Sequence, residues 1–488
     1  MRLTHHQYLF CFIAFLLSCA IKAQAPRKFY MRFGGNGYDV GYDVKQTLDN
    51  GYIITGSTSS FGQGNTDLYL VRLDSMGRRK FEKSFGSYNN EIGKSVIQLT
   101  DSGFVAIGYT NSSGFGGYDI YLLRTDKNGN LLWQKNIGGS DWDFAYSLQE
   151  TFDGGFVIAG TTYSYGRGNA DGYVVKTDNG GNVIWTKTYG GIHDDEFKSV
   201  VQTADGGFAL TGYTKSYNDV DSGDVWVFKL DIMGDSVWCK FYGGSREDFG
   251  NSVTQLQNSR IAVAGGTRSA SSGNVLQTLV LTYDPITGSQ NYAYPDPGTV
   301  DEYYNDFTQG VNGSMAGCGK TMNPLFGPQI LIDIYSSIFT YINFFSYTIG
   351  SDDELFAISP TKDKGFVCVG RTQGASTLLT DFLFIKMDSL GSYGNNITAI
   401  KEPLAQSLDF QVFPNPASDK LIFRMAQPPQ NASFLILSAD GKEIRKGIID
   451  IGSMEITLDD ISGGLYFLQV YPNGQASPAI IKFSVFKE

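Results

Sequence analysis

Histidine is almost absent from this chain, with three in 488 residues. His5 and His6 lie in an N-terminal stretch read below as a leader, so the body of the chain has His193 alone. That excludes clustered histidine metal sites, a HExxH helix and any mechanism needing two imidazoles. Cysteine is scarce too, at five, and Cys11 and Cys19 fall in the leader. Cys239, Cys318 and Cys368 make an odd, scattered set, with no disulfide framework and no CxxC zinc pair. Buried free thiols on strands are the expected state. A Cys318–Cys368 bridge between adjacent repeats stays open as the alternative. Positive charge is also lacking: the net charge is −11 and the pI about 4.9. A nucleic-acid partner and an anionic membrane surface are thereby disfavoured. No Walker loop, dinucleotide fingerprint or GxSxG elbow occurs, so no cofactor and no metal are expected.

Long apolar runs are missing except near the start. Arg2 followed by the apolar stretch Tyr8 to Cys19 and the small-x-small site Ala23-Gln24-Ala25 reads as a signal peptide over residues 1–25. The run is short for a membrane span, and no later segment is long and apolar enough, so the chain is expected not to be transmembrane. A rival reading takes Leu16-Leu17-Ser18-Cys19 as a lipoprotein box with Cys19 acylated, a motif that Leu17 suits poorly.

What the chain has in abundance is glycine, 59 residues against 14 prolines, with 14% aromatics. Evenly spread glycine with many aromatics points to short strands and tight turns rather than disorder. The stretch "TFDGGFVIAG" (Thr151 to Gly160) joins a hairpin signal to an apolar strand, and it recurs. The hairpin glycine falls at Gly51, Gly103, Gly155 and Gly207, in steps of 52. Weaker copies centre on Arg260 and Ser314, and a clear one on Gly365, making seven. Each copy carries four strand-like segments. A four-stranded unit has two apolar faces and must stack on neighbours to cover both, so the period predicts an all-β, seven-bladed β-propeller.

The ends of the array predict its closure. Outer strands such as "VIWTKTYGG" sit between copies, but none follows the seventh. One precedes the first copy instead, "RKFYMRFGG" from Arg27 to Gly35, and it should complete the last blade. Lys28 to Gly391 spans 364 residues, seven times the period. The propeller is placed at 28–394 and a linker at 395–408. The repeat resembles the bacterial seven-bladed propeller repeats of secreted and surface proteins, a resemblance that implies a fold but no single activity.

A different pattern occupies 409–488, with short strands and turns that predict a small β-sandwich. Pro414-Asn415-Pro416-Ala417, Asp440-Gly441-Lys442 and Gly464-Leu465-Tyr466-Phe467 stand in that order ahead of a final lysine-containing strand. This region resembles the C-terminal sorting domain of type IX secretion cargo, of the Bacteroidetes type, with Pro414, Asn415, Pro416, Gly464 and Tyr466 as its motif residues. The resemblance implies the type IX machinery as partner, and a protein secreted or held at the outer cell surface.

Candidate chemistry rests on carboxylates. An acid follows each "GG" connector: Asp39, Glu91, Asp143, Asp195 and Asp248, with Asp301 or Glu302 in the sixth copy and Glu354 in the seventh. A cation or glycan site is one reading; a carboxylate accepting backbone N–H bonds to pin the turn is the other, and strict repetition favours it. Asp67, Asp119, Asp171, Asp224 and Asp381 form a second repeating set of the same kind. Aromatics at Phe61, Phe115, Tyr165 and Tyr217 mark the loop between second and third strands and are candidate ligand contacts. Asp195, Asp248 and Tyr303 join them, the last because Tyr294 to Asp306 departs from the repeat. The leading reading is a non-enzymatic propeller binding protein or glycan on its loop-rich face. A carboxylate-dependent glycan hydrolase or lyase and a purely structural adhesion component are the alternatives.

Overall fold

The computed structural model describes residues 28–217, 222–270, 274–295, 299–325, 327–374, 379–392, 400–401, 410–413, 417–425, 432–438, 442–449, 455–472 and 479–485. The leader with Cys19, Pro414-Asn415-Pro416, the Asp440-Gly441 hairpin, residues 218–221 and residues 296–298 of the departure from the repeat lie outside the described residues. Every regular element among the described residues is a β-strand. The chain divides into two compact units, Met1–Ile400 and Lys401–Glu488.

The first unit repeats one antiparallel sheet, consistent with a β-propeller. Sheet 1 comprises Asp39–Gln46, Tyr52–Thr58, Asp67–Leu73 and Arg79–Phe85 in chain order. Sheets 2 to 6 have the same order and begin at Glu91, Asp143, Asp195, Asp248 and Glu302. Sheet 7 contains Asp353–Pro360, Phe366–Gln373 and Thr380–Met387, and then Phe29–Phe33 from the other end of the chain. Phe29–Phe33 pairs antiparallel with Thr380–Met387, Phe29 opposite Lys386 and Phe33 opposite Phe382.

Second and third strands are buried nearly throughout, as in Tyr52–Thr58 and Asp67–Leu73, because both of their faces meet a neighbouring sheet. A separate apolar cluster fills each gap between consecutive sheets. Ile107 and Ile158 join sheets 2 and 3, and Ala159 and Leu210 join sheets 3 and 4. Val44 and Ile54 of sheet 1 pack with Val369 and Phe382 of sheet 7, and Met31 and Phe33 lie in the same cluster. First strands also pack on one another in sequence, and that of sheet 7 packs on that of sheet 1.

The repeated hairpin is held by a buried cation. Asp153 accepts the backbone N–H of Gly155 at 3.1 Å, and its carboxylate faces Lys176 Nζ at 3.0–3.1 Å. Lys176 lies on the third strand, buried, and also donates to the Thr177 carbonyl at 2.9 Å. Lys229 with Asp205 and Lys386 with Asp363 repeat the arrangement, and Arg72 with Asp49 and Arg124 with Asp101 vary it. The two hairpin glycines have different duties. Gly154 takes the left-handed conformation (φ 78°), a position filled elsewhere by Asn50, Ser102, Ser259 and Lys364. Gly155 is needed for room: a Cβ there would sit 2.1 Å from the Thr177 carbonyl oxygen and 2.7 Å from Lys176 Nζ.

Sheets 5 and 6 drop the whole device together. Asn258 and Asn312 replace the aspartate, Arg260 and Ser314 replace the glycine, and Thr282 and Ile334 stand where the basic residue would be. Losing the cation removes both the need for a countercharge and the need for space.

The second unit has two sheets. One pairs Lys420–Met425 with Phe410–Phe413 and Glu455–Thr457; the other orders Glu443–Ile449, Ala432–Ser438, Gly464–Pro472 and Ala479–Val485. Leu421 and Ile456 of the first share a core with Ile436, Leu468 and Val470 of the second. Tyr466 is buried there and donates to the Ser462 carbonyl at 2.9 Å, while Gly464 opens its strand at the surface.

Asp205→Asn and Lys229→Thr should each destabilise the protein by about 1–3 kcal/mol, because each leaves half of an ion pair behind. The double variant, with the residue types of sheet 5, should cost less than the two together; a double-mutant cycle from chemical denaturation reads the coupling. Deleting Phe29–Phe33 should lower the melting temperature and strip hydrogen-exchange protection from Thr380–Met387, because it uncovers that strand.

Candidate ligand-binding face

The connectors between sheets are built on carboxylates. Asp39, Asp143, Asp195 and Asp248 each open a first strand, fully buried, and each accepts the N–H of the second connector glycine at 2.7–3.0 Å. Glu91 does the same with Ser87 at 2.9 Å. A serine of the adjacent loop donates to the same group: Ser60 to Asp39, Ser164 to Asp143, Ser216 to Asp195 and Ser269 to Asp248, at 2.6–2.7 Å. In sheet 6 the position belongs to Glu302, which accepts from Thr321 at 2.6 Å. In sheet 7 it belongs to Asp353 rather than Glu354: Gly350 N–H reaches Asp353 at 2.8 Å.

The second acid set meets the first across the connector glycine. A Cβ on Gly138 would lie 2.0 Å from Asp119 Oδ1 and 2.7 Å from Asp143 Oδ2, and Gly190 stands likewise between Asp171 and Asp195. Asp171 is in turn tied to its own loop, accepting Arg167 and Gly168 N–H at 2.9 Å. Burial, with the neighbouring carboxylate adding, pushes Asp67, Asp143, Asp171 and Asp381 above the ordinary carboxylate range. The hairpin acids go the other way. Asp153 is drawn down to about 2 by hydrogen bonds from Thr151 and Lys176, which outweigh its partial desolvation. Among the described residues no group of three or more His, Cys, Asp or Glu is placed to hold a metal ion.

The loop aromatics lie over these connectors. Tyr165 donates to the Gly138 carbonyl at 2.9 Å, and its ring packs 5.9 Å from Tyr173. Tyr217 donates to the Gly190 carbonyl at 3.2 Å and packs against Phe241 at 5.0 Å. Phe61 stacks on Tyr69 at 5.6 Å. All three keep part of the ring in solvent, and Phe115 is 70% exposed.

Two further groups stand near this face, neither of them visible as a motif. One is a patch of rings on sheets 2 and 3: Tyr109, Tyr118, Trp142, Phe144 and Tyr163 touch one another with centroids 4.9–6.3 Å apart. Trp142 is 48% exposed and Tyr163 39%, and Phe144 leads inward to Tyr146 at 6.4 Å.

The other lies between the first strands. Each first strand bulges at its fourth residue, placing Tyr42, Lys94, Tyr146, Lys198, Asn251, Asn305 and Phe356 outside the regular pairing. These residues meet across sheets. Lys94 Nζ lies 3.5 Å from the Tyr42 ring centroid, Lys198 Nζ 4.2 Å from that of Tyr146, and Tyr42 packs on Phe356 at 5.1 Å. Burial, with Lys198 adding, lowers the Lys94 ammonium to about 7. Glu354 belongs here, accepting from Tyr303 at 2.9 Å, Asn305 at 3.0 Å and Arg371 at 3.1 Å. The signal that could have found the group is the fourth position of every first strand, read down the repeats.

Thus Asp195 and Asp248 open first strands and pin the connectors before them, Phe61, Phe115, Tyr165 and Tyr217 sit in the loops between second and third strands, and Tyr303 lies beside Glu354. Gly464 and Tyr466 lie in the second unit.

Residues 411–482 match a family described as the secretion system C-terminal sorting domain. This domain directs the chain to type IX export, to the cell surface or into the medium. No helix among the described residues is long and apolar enough to cross a membrane. The regulatory protein FlaEY of Caulobacter vibrioides is 28% identical over 138 residues, a match spanning 25% of this chain and 14% of that protein's length. Two solved structures are similar at low identity. PorZ of Porphyromonas gingivalis, an essential bacterial surface component of the type IX secretion system, is 11% identical, with a TM-score of 0.40 over 93% of this chain and 60% of that one. The β-propeller domain of the Trilobed protease from Pyrococcus furiosus is 9% identical, with a TM-score of 0.39 over 74% of this chain and all of that one.

The raised acids of the connectors and the lowered acids of the hairpins predict opposite pH responses. The raised Asp171 stabilises the fold when protonated, and that contribution is lost as pH rises through its folded value. Asp171→Asn should therefore gain melting temperature relative to wild type between pH 4 and pH 7. The lowered Asp153 contributes above its unfolded value and loses its contribution as pH falls toward about 2. Asp153→Asn should therefore lag wild type at pH 6 and converge with it near pH 2. Parallel wild-type and variant curves would contradict both.

Proposed function

We propose that the chain is an exported, seven-bladed β-propeller at 28–394, joined through 395–408 to a β-sandwich sorting domain at 409–488. Its N-terminal strand closes the last blade, and the propeller binds a glycan on the face that carries the connectors and the second-to-third-strand loops. Packing of each first strand on the next, and of the last on the first, supports the closed ring.

The observation that carries the ligand reading is the aromatic patch around Trp142. Repetition accounts for the buried connector acids and for rings that brace their own blade. It does not account for Trp142, Tyr163, Tyr118 and Phe144, which gather at one place and leave Trp142 and Tyr163 half in solvent. Exposed aromatic planes cover the C–H faces of sugars at little conformational cost, and half-buried carboxylates and hydroxyls beside them accept and donate to sugar hydroxyls. Glu196, which accepts from Tyr213 at 3.2 Å and acts on Tyr163, is such a group. Asp195 and Asp248 shape the connectors; Tyr165, Tyr217, Phe61 and Phe115 form the rim. A protein ligand on the same face is the other outcome of the reading.

On a glycan array, Trp142→Ala with Tyr163→Ala should reduce the signal at least tenfold, and Tyr165→Ala with Tyr217→Ala should reduce it less, with the melting temperature held within a few degrees in both. An unchanged signal in the Trp142/Tyr163 variant would remove the patch from the site. A wild-type protein with no glycan signal that captures a surface protein through the same residues would replace glycan with protein.

A further inference from the structure

The first unit contains two cysteines that meet across one gap between sheets. Cys318 is on the second strand of sheet 6, Met315–Asn323, and Cys368 on the second strand of sheet 7, Phe366–Gln373. Both are fully buried and share one apolar cluster with Leu355, Ile358 and Ile332. Cys368 is among the groups that act on the Cys318 thiol across the gap. Cys239 is far from this gap, half-buried on the outer strand of sheet 4, with Trp226 Nε1 donating to its sulfur at 3.1 Å.

The repeat explains why the two sulfurs face each other. Cys318 pairs with Ile332 and stands at the place held by Ile107 in sheet 2 and Ala159 in sheet 3, each immediately before the glycine of its strand, Gly319, Gly108 and Gly160. Cys368 stands at the place held by Ile158 and Leu210. Ile107 and Ile158 share one of the clusters that join neighbouring sheets, and Ala159 and Leu210 share the next. Val369 of sheet 7 and Ile54 of sheet 1 are the same pair at the closing gap. Both members of this equivalent pair are therefore cysteine only in the gap between sheets 6 and 7. Sheet 6 is also one of the two sheets without the hairpin ion pair.

We propose that Cys318 and Cys368 are joined by a disulfide in the exported protein, tying sheet 6 covalently to sheet 7. The sorting domain takes the chain out of the cytoplasm, away from the pools that keep thiols reduced. Each thiol gives up a proton and an electron, one S–S bond forms, and the electron pair goes to the disulfide of a thiol oxidase. In steps, one cysteine thiolate attacks that disulfide, and the second displaces the oxidase as its dithiol. Burial raises the Cys318 thiol well above its ordinary value, so the packed pair is a poor nucleophile. Oxidation accordingly precedes the docking of sheet 7, and the finished bond is shielded from reductants.

The test uses the full chain recovered from the medium or the cell surface. It is denatured in N-ethylmaleimide without reductant, digested and mass-mapped. The expected result is label on Cys239 alone and a Cys318–Cys368 peptide pair two hydrogens lighter than its separate halves. Label on all three cysteines overturns the proposal. A second arm refolds the purified chain with and without oxidised glutathione. Wild type should melt several degrees higher when oxidised. Cys318→Ala with Cys368→Val, an apolar pair like those of the other gaps, should melt alike in both states. A wild type that takes up no cross-link under oxidised glutathione also overturns the proposal.

Discussion

Apolar surface on both sides of every sheet is the constraint from which the first unit follows. A sheet covered on one side only would leave a row of valines, isoleucines and phenylalanines in water, at a cost of about 25 cal/mol for each Å² exposed. Consecutive sheets cover each other, but a linear stack still has two bare ends. The pairing of Phe29–Phe33 with Thr380–Met387 addresses both at once. It completes sheet 7, and Met31 and Phe33 then seal the cluster that sheet 7 shares with sheet 1. The strand thus supplies backbone pairing to one sheet and apolar cover to the gap beside it.

Within a sheet, the hairpin device shows how one buried charge dictates its surroundings. Lys176, Lys229 and Lys386 are nearly inaccessible to solvent, and a cation so placed needs a countercharge and carbonyl acceptors within reach. The aspartate of the turn is the countercharge, and the absence of a side chain at Gly155 makes room for the ammonium. The motif "DGGF" is therefore half of an interaction whose other half lies about 20 residues downstream, on the third strand. Sheets 5 and 6, which lack the third-strand cation, have lost the motif too, so their decay is coordinated rather than random.

Much of this architecture was legible before any coordinates. The period, the strands of each repeat and the N-terminal partner of Thr380–Met387 follow from spacing, because strands obey local patterning and a missing outer strand leaves a deficit that can be counted. The reason for each glycine was less legible. A left-handed turn and a close approach look alike in sequence, and only the distances around Gly154 and Gly155 separate them. In sheet 7 the acids Asp353 and Glu354 are adjacent, and which one pins the connector depends on a register of one residue. The aromatic patch was not legible at all. Trp142, Tyr163 and Tyr118 come from a connector, a loop and another loop, and nothing local announces that they touch. The central group around Lys94 was hidden for a related reason, since its members are about 50 residues apart and share only the bulge that turns them inward.

The sequence distance between Phe33 and Phe382 has a temporal meaning. Their strands join opposite ends of the first unit, and the entropy of bringing such remote segments together must be met before the contact gives anything back. Neighbouring sheets can collapse on each other as soon as they exist, whereas the first strand has no partner until nearly the whole array has been made. Until that strand docks, the nascent array keeps an unzipped seam. A polypeptide that has to be threaded outward before it matures gains from a final clasp that engages last.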